Sequence, residues 1–206
     1  MTYVENIFIC LAAPLIIAAL CTRGRARRVI TFIIIGMAAS LVSSYISSFI
    51  AAVQGATLDA ASLEISPFVE EIIKLVPILF YLIVIRPEHS DAAESCMMSA
   101  IGFATYENVC FLLQRGVGNL MFLLIRGFGT GTMHVVCASL VSLGLLRVWK
   151  SEWLRFAGTV ALLSAAITYH GVFNILVSQT GAPAYVGYFI PSFTALVSLI
   201  IRTRHE

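Results

Sequence analysis

The sequence predicts an all-α membrane protein, a polytopic bundle of about seven transmembrane helices, and three observations support that prediction. Hydrophobic residues make up 59% of the 206 residues and charged residues only 12%, whereas soluble domains have about 25% charged residues. Apolar runs of about 20 residues, the length that crosses a bilayer, recur along the chain. Basic residues are concentrated in every second connector between those runs. A soluble fold is therefore excluded, and we interpret residues 1–206 as one transmembrane domain.

Each predicted helix corresponds to one apolar run. The first run precedes the basic segment RGRARR, the reverse of the order in a cleaved signal peptide, so we interpret it as a membrane helix. The third begins at Ser66-Pro67, residue types that are favoured at a helix N-terminus. The other runs lie between connectors such as QGATLDAASLEIS, RGVGN and SQTGAPAYV. The helices are predicted at roughly 4–22, 29–53, 67–85, 95–114, 120–146, 156–177 and 187–201.

The distribution of basic residues predicts the orientation of the chain. Ten of the 13 lie in connectors on one side, namely Arg23, Arg25, Arg27, Arg28, Arg86, Arg147, Lys150, Arg155, Arg202 and Arg204. Arg115 lies in a connector on the opposite side, and Lys74 and Arg126 lie inside predicted helices. Cytoplasmic connectors carry the excess of Lys and Arg. We therefore expect the N-terminus outside and the C-terminus inside.

Charged and histidine residues occur in the cores of the third to sixth predicted helices only. With their polar neighbours they are Glu70, Glu71, Lys74, Glu107, Asn108, Arg126, Thr130, His134, His170 and Asn174. Residues four apart share a helix face, and this spacing joins Glu70 to Lys74 and His170 to Asn174. On the predicted topology all four helices place these side chains in the outer half of the membrane. The pattern predicts a functional cavity between four helices.

Single members of this set also have simpler interpretations. Glu70 and Glu71 lie near a predicted helix N-terminus, where the helix dipole favours carboxylates. His170 can be a packing residue that bonds a carbonyl group, and Arg126 can extend to the membrane surface. The segment after Arg126 contains glycines that we expect to allow close helix contact, namely Gly127, Gly129 and Gly131. The combination at matched depth favours a functional site.

Carboxylates and imidazoles in one cavity suit two kinds of chemistry. A glutamate in a partly dehydrated site can act as a general base on water. Histidine and carboxylate side chains also bind zinc, and a catalytic zinc ion needs three protein ligands and an open position. The HExxH helix of common zinc proteases is absent from the sequence. A metal site would therefore be assembled from several helices, and both chemistries stay open.

Four short motifs occur in order on four consecutive predicted helices. They are EEIIK (Glu70, Glu71, Lys74), FATYEN (Phe103, Glu107, Asn108), RGFGTGTMH (Arg126, His134) and HGVFN (His170, Asn174). Together they resemble the PrsW family of bacterial intramembrane proteases, which is related to the CAAX prenyl proteases and more distantly to the APH-1 subunit of gamma-secretase. The resemblance covers residues 66 to about 178, which are the expected catalytic helices.

The resemblance implies a multi-pass protease of the bacterial cell membrane. Its expected substrate is a single-pass membrane protein, such as an anti-sigma factor, cleaved on the extracytoplasmic side. Membrane lipid is the other expected partner, and no nucleic-acid partner is expected.

The resemblance also implies roles for the motif residues. Glu70 is expected to activate water, with Glu71 substituting for it or orienting a ligand, while Lys74 pairs with a carboxylate. The side chains of His170 and Asn174 are expected to face the developing oxyanion. His134 completes the catalytic set, and the supporting residues are Asn108 and Arg126.

One position departs from the related enzymes. Glu107 stands where the CAAX prenyl proteases have a histidine, which favours a zinc site built from Glu107, His134 and His170. The grouping of PrsW-like proteins with metallopeptidases points to the same cofactor. A glutamate–histidine site without a metal is the alternative.

Two other functions are compatible with intramembrane charges. A proton-coupled transporter would need polar residues that continue towards the cytoplasmic side to relay protons. The segment LVPILFYLIVI after Lys74, however, is apolar apart from Tyr81. A non-catalytic scaffold, as in APH-1, is disfavoured because the acid and base positions of the four motifs are all present.

Overall fold

The protein folds as a bundle of long helices. The computed structural model describes residues 3–116 and 120–203. The long helices are α1 (Val4–Cys21), α2 (Gly24–Gln54), α3 (Ser66–Phe80), α4 (His89–Arg115), α5 (Leu120–Val148), α6 (Glu152–Val177) and α7 (Ala182–Thr203). No strand occurs among the described residues. The prediction of an all-α fold is confirmed.

Within the described residues, five helices are long and apolar enough to cross a membrane. They are α1, α2, α5, α6 and, over His89–Gln114, α4. The chain is therefore a multi-pass membrane protein. The α3 helix has 15 residues, which is about 22 Å at 1.5 Å per residue and less than the ~30 Å of a bilayer core. Seven spans and the orientation of the chain stay predictions.

Several helices begin before the apolar run that predicts them. The α2 helix begins at Gly24 and α4 at His89, each about a turn and a half before its predicted start. Their first turns are joined by a salt bridge of 2.5 Å between Arg28 and Asp91. Charged side chains are tolerated near helix ends because they reach water, so apolarity marks only the part of a helix that faces lipid. This salt bridge shows that α2 and α4 start side by side, and the close approach of Gly36 to Ser99 further along both helices shows that they run parallel.

A seam of small residues holds α2 against α4. A Cβ atom at Gly36 would lie 1.8 Å from the carbonyl oxygen of Ser99, and one at Gly102 would lie 2.1 Å from the carbonyl oxygen of Ile33. Both contacts involve backbone atoms, which cannot move aside as a flexible side chain can. Only glycine fits at these two positions, as in other closely packed membrane helices.

The glycines of α5 behave differently from the sequence-based expectation. A Cβ atom at Gly129 would lie 2.7 Å from the ring of Tyr188 in α7, which agrees with close helix contact. At Gly127 and Gly131 a Cβ atom would meet nothing within 4 Å. The expectation of close helix contact is therefore wrong for these two glycines, which border open space.

The α3 helix lies inside a longer helical path. A short turn, Leu58–Ala60, and a π-helical turn, Ala61–Ile65, lead into it, and a second π-helical turn, Tyr81–Ile85, follows it. Ser66 has helical dihedral angles, φ −58° and ψ −47°. The expectation that Ser66 caps a new helix is therefore wrong, and the glutamates that follow it do not lie at a free helix N-terminus.

The α5 helix occupies the centre of the bundle. It packs against α4, α6 and α7, while α3 packs against α2 and α6. The α5 side chains of Met133, His134 and Leu145 are 0% exposed. The inner faces of α3, α4, α5 and α6 therefore meet in one interior, where the polar residues of the four motifs lie.

Candidate active site

A buried ion pair on α3 forms the centre of the site. Glu71 and Lys74 are 4% and 8% exposed, and the Lys74 Nζ donates to the Glu71 Oε1 over 2.5 Å. Their spacing of three residues places both side chains on one face of the helix. The same Nζ lies 2.9 Å from the Nδ1 of His134 on α5. An ammonium group only donates, so the Nδ1 of His134 accepts this hydrogen bond.

Glu107 links α4 to two turns of α5. Because the Nδ1 of His134 accepts a hydrogen bond, its Nε2 carries the proton and donates to the Glu107 Oε2 over 2.6 Å. The other carboxylate oxygen of Glu107 lies 3.4 Å from a guanidinium nitrogen of Arg126. The guanidinium carbon of Arg126 also lies 3.5 Å from the ring centre of Phe111, a cation–π contact. These contacts hold His134 and Arg126 on one face of α5.

His170 on α6 connects the two glutamates of α3. Its Nδ1 lies 2.8 Å from the Glu71 Oε1, and since a carboxylate only accepts, the proton of the neutral ring is on Nδ1. The lone pair on Nε2 is left free, 3.8 Å from the Glu70 Oε2. That Glu70 oxygen is buried and has no hydrogen-bond partner. His170 and Glu70 therefore present two free acceptor atoms to the same small volume.

Three of these residues can hold a metal ion. One ligand atom each from Glu70, His134 and His170 lie within 4.8 Å of one another. One carboxylate and two imidazoles are a ligand set that catalytic zinc accepts, and a carboxylate that bonds the second ring nitrogen of a histidine ligand, as Glu71 does, is common around such ions. The free atoms of Glu70 and His170 fit a metal directly, and His134 fits once it releases one of its two hydrogen bonds.

This group differs from the set predicted from the sequence, which places Glu107 with His134 and His170. Glu107 bonds His134, but the group of converging ligand atoms contains Glu70 in its place. The set with Glu107 stays a prediction. The sequence could not separate these two carboxylates, because both lie at a similar predicted depth on helices that border the cavity.

Phe103 belongs to the site although it is apolar. It is 0% exposed, its ring centre lies 4.9 Å from that of His134, and the Lys74 Nζ lies 4.8 Å from the same ring centre. An aromatic face stabilises a buried cation. Its position four residues before Glu107 was the available signal, because that spacing places both on one helix face.

Among the described residues, no hydrogen bond joins either asparagine of the motifs to the charged cluster, which consists of Glu70, Glu71, Lys74, Glu107, His134 and His170. The Asn174 Nδ2 donates to the carbonyl oxygen of Ser62 over 3.0 Å, which ties α6 to the π-helical turn before α3. The Oδ1 of Asn108 is buried and has no hydrogen-bond partner. The role of Asn174 at an oxyanion stays a prediction. None of the four motifs indicated the contact between Asn174 and Ser62.

A small cavity of about 20 Å³ adjoins the Glu71–Lys74 pair. Apart from that pair its walls carry no charge, being formed by Leu75, Ile78, Cys96, Ser99, Ala100, Ala138 and Val141. The Glu71–Lys74 pair therefore has the two histidines of the cluster on one side and uncharged side chains on the other.

The chain matches one protein-family model, described as PrsW family intramembrane metalloprotease, over residues 24–199. The match includes all four helices that contribute to the cluster. No curated protein and no solved structure matches the chain.

Proposed function

Because the chain belongs to the PrsW family of intramembrane metalloproteases, it is a membrane-embedded hydrolase, and we propose that it cleaves a membrane-anchored protein within or next to the bilayer. The observation that carries the proposal is the buried cluster in which Glu70 and His170 present free acceptor atoms 3.8 Å apart. Uncompensated acceptors in a buried position are unfavourable unless a ligand or water satisfies them. A peptide-hydrolysing site needs a water molecule at this kind of position.

Glu70 is the better candidate for the residue that activates water. One oxygen of Glu71 already accepts from both Lys74 and His170, which fixes that carboxylate and the ring it bonds. The Oε2 of Glu70 is buried and has no partner, so it can accept a proton from water. Glu71 then positions His170. A general base of this kind contributes about 10²–10⁴ to a rate.

The proposed hydrolysis uses one water molecule for each peptide bond. Glu70 removes a proton from the water, and the water oxygen forms a bond to the carbonyl carbon of the scissile peptide. The carbon–nitrogen bond then breaks, and the leaving nitrogen takes the proton. His170 suits accepting or metal-binding chemistry better than donating to an oxyanion, because its Nε2 carries a lone pair in this arrangement.

The cofactor of the proposed enzyme is zinc, held by Glu70, His134 and His170. When bound, the ion supplies polarisation of the carbonyl group and a more acidic water molecule. Glu70 is then a ligand instead of the base, so its two roles are alternatives. Lys74 and Glu107 both bond His134 without the ion, and one of the two keeps its hydrogen bond when His134 is a ligand.

The proposed substrate is a single-pass membrane protein, such as an anti-sigma factor, cut in its extracytoplasmic membrane-proximal segment. The alternation of basic connectors supports seven spans with the N-terminus outside, and the family match supports placing this one-domain protein in the bacterial cell membrane. On that topology the cluster lies in the outer half of the membrane. Family membership and the uncharged walls of the adjoining cavity favour a protease over a proton-coupled transporter or a scaffold.

The test is cleavage of single-pass substrates by the purified protein in lipid vesicles. Wild type is compared with His170→Ala and with His89→Ala, because His89 is an exposed histidine at the start of α4. We expect cleavage by wild type and His89→Ala, and its loss in His170→Ala. A zinc chelator should abolish cleavage and added zinc should restore it. Full cleavage by His170→Ala would contradict the site, and activity indifferent to chelation would contradict the zinc assignment.

A further inference from the structure

Thr130 on α5 has a hydroxyl group that is not used within its own helix. The residue is 2% exposed, and its Oγ1 is buried with no hydrogen-bond partner. Threonines in a helix usually bond the carbonyl group one turn earlier. Here that contact is made by Thr31, Thr105, Thr159, Thr168 and Thr194. A buried hydroxyl that does not make this bond is available to another molecule.

The position of Thr130 places it beside the active-site cluster. It lies four residues after Arg126 and four before His134, so the three share one face of α5. Both flanking residues contact Glu107, over 3.4 Å and 2.6 Å. The free hydroxyl therefore lies on the face of α5 that the cluster occupies, one turn from the ring of His134.

Space for a ligand occurs next to this position. Gly127 and Gly131 border open space, since a Cβ atom at either would meet nothing within 4 Å. Both lie within one turn of Thr130. An extended peptide segment can approach the backbone of α5 more closely at glycine than at any other residue.

The proposed hydrolysis also needs a hydrogen-bond donor to the carbonyl oxygen, and two side chains on this face of α5 have a buried donor without a partner, the hydroxyl group of Thr130 and the Nε of Arg126. Thr130 lies one turn from His134 and Arg126 lies two turns away, so Thr130 is the one next to His134 along the helix. Lys74 donates to Glu71 and His134, and Asn174 donates to Ser62. The Nε2 of His170 carries a lone pair. A carbonyl oxygen that gains negative charge is stabilised by a preorganised donor, and a hydroxyl group can rotate to provide one.

We infer that Thr130 is a catalytic residue whose hydroxyl group donates a hydrogen bond to the carbonyl oxygen of the scissile peptide, with the substrate segment lying along the Gly127–Gly131 side of α5. The inference rests on the proposed function. The hydrogen bond strengthens as the water oxygen attacks and the carbonyl oxygen becomes negative, so it acts on the chemical step more than on substrate binding.

The experiment measures kcat and KM for the single-pass substrate with Thr130→Val, Thr130→Ser and Thr132→Val. Valine keeps the shape of threonine without its hydroxyl group, and serine keeps the hydroxyl group. We expect Thr130→Val to lower kcat about 10²-fold with little change in KM. Thr130→Ser should retain most of the activity. Thr132→Val should match wild type, because Thr132 lies half-buried on a different face of α5.

Folding is followed by the thermal denaturation of each variant in detergent. A wild-type kcat in Thr130→Val would overturn the inference and leave the proposed function intact. Equal losses in Thr130→Val and Thr130→Ser, together with lowered melting temperatures, would indicate a packing role and would also overturn it. A wild-type protein that cleaves no substrate would contradict the proposed function itself.

Discussion

Two regions of the molecule join helices through charged side chains, and they do so under opposite conditions. At the starts of α2 and α4, Arg25 and Arg28 pair with Asp91 and Glu94, and the exposure of these side chains ranges from 17% for Glu94 to 78% for Arg25. Inside the bundle, the cluster around Lys74 joins α3, α4, α5 and α6, with side-chain exposures of 9% for Lys74 and 0% for His134. The residue types are similar, but the surroundings differ.

The difference in exposure to water indicates a different role for each charged region. Exposed charges keep much of their contact with water, so their pairing adds little to stability and forming it is easy. Buried charges lose their hydration, and an ion pair seldom repays that loss better than apolar packing does. The α2–α4 pair also packs closely along its glycine seam. Apolar residues would pack as well as this charged cluster does in the interior. Its presence there therefore indicates a catalytic role.

The largest effect should come from removing the central cation. In Lys74→Met, the buried Glu71 loses its positive partner, and breaking a buried pair in this way lowers the free energy of unfolding by about 3–5 kcal/mol. We also expect cleavage to be lost. The measurements are the melting temperature in detergent and the cleavage rate in vesicles.

A double variant, Glu71→Gln with Lys74→Met, is the control for that change. It removes both charges, so part of the stability should return while activity stays lost. A single Lys74→Met variant as stable and active as wild type would contradict the view that the buried pair organises the site.

A second change separates the two carboxylates that compete for the metal. We expect Glu70→Gln to lose bound zinc, and Glu107→Gln to keep it while activity falls about 10–100-fold, as for partners that orient a ligand. Zinc content is measured by elemental analysis of the purified proteins. Loss of zinc in Glu107→Gln but not in Glu70→Gln would support the set Glu107, His134 and His170 predicted from the sequence.

A third change acts on the α2–α4 seam without touching the cluster. Gly36→Ala forces a Cβ atom to within 1.8 Å of the Ser99 carbonyl oxygen, and overpacking of this kind lowers stability by about 1–3 kcal/mol. Gly131→Ala is the matched control for stability, because its Cβ atom would meet nothing within 4 Å. Equal melting temperatures for the two variants would show that the seam is not as close as described.

The smallest effect should follow Arg25→Ala. This residue is mostly exposed and pairs with Glu94, which keeps its contact with Arg28. We expect melting temperature and cleavage rate to match wild type within error, at low and at high salt. A clear loss of either would mean that the exposed cluster contributes more than water-screened pairs usually do.

Much of the fold follows from local patterns in the sequence. Apolar runs predict the long helices, and the spacing of Glu70 and Lys74 or of His170 and Asn174 predicts which side chains share a face. The residues at which the helices start and the π-helical turns around α3 cannot be predicted from these local patterns, because they depend on contacts with neighbouring helices. The same limit applies to glycine: nothing local separates Gly36, which meets backbone, from Gly131, which meets nothing.

The residues that form the candidate site are easier to predict than the hydrogen bonds between them. An ionisable residue in a membrane helix is unfavourable without a purpose, so composition alone selects the two glutamates of α3, Glu107 and the two histidines. Which atoms meet depends on how the helices are rotated. That Glu71 bonds His170 while Glu107 bonds His134 becomes visible only when the four helices are packed.

The central claim is that Glu70 activates water or holds the ion that does so. Cleavage of a single-pass substrate in water enriched in ¹⁸O is the most direct measurement, with wild type, Glu70→Gln and Glu64→Gln compared by mass spectrometry of the products. Glu64 is an exposed glutamate in the turn before α3 and controls for loss of a nearby charge. We expect ¹⁸O in the new carboxylate with wild type and Glu64→Gln, and no product with Glu70→Gln. Product formed at the wild-type rate by Glu70→Gln would contradict the account.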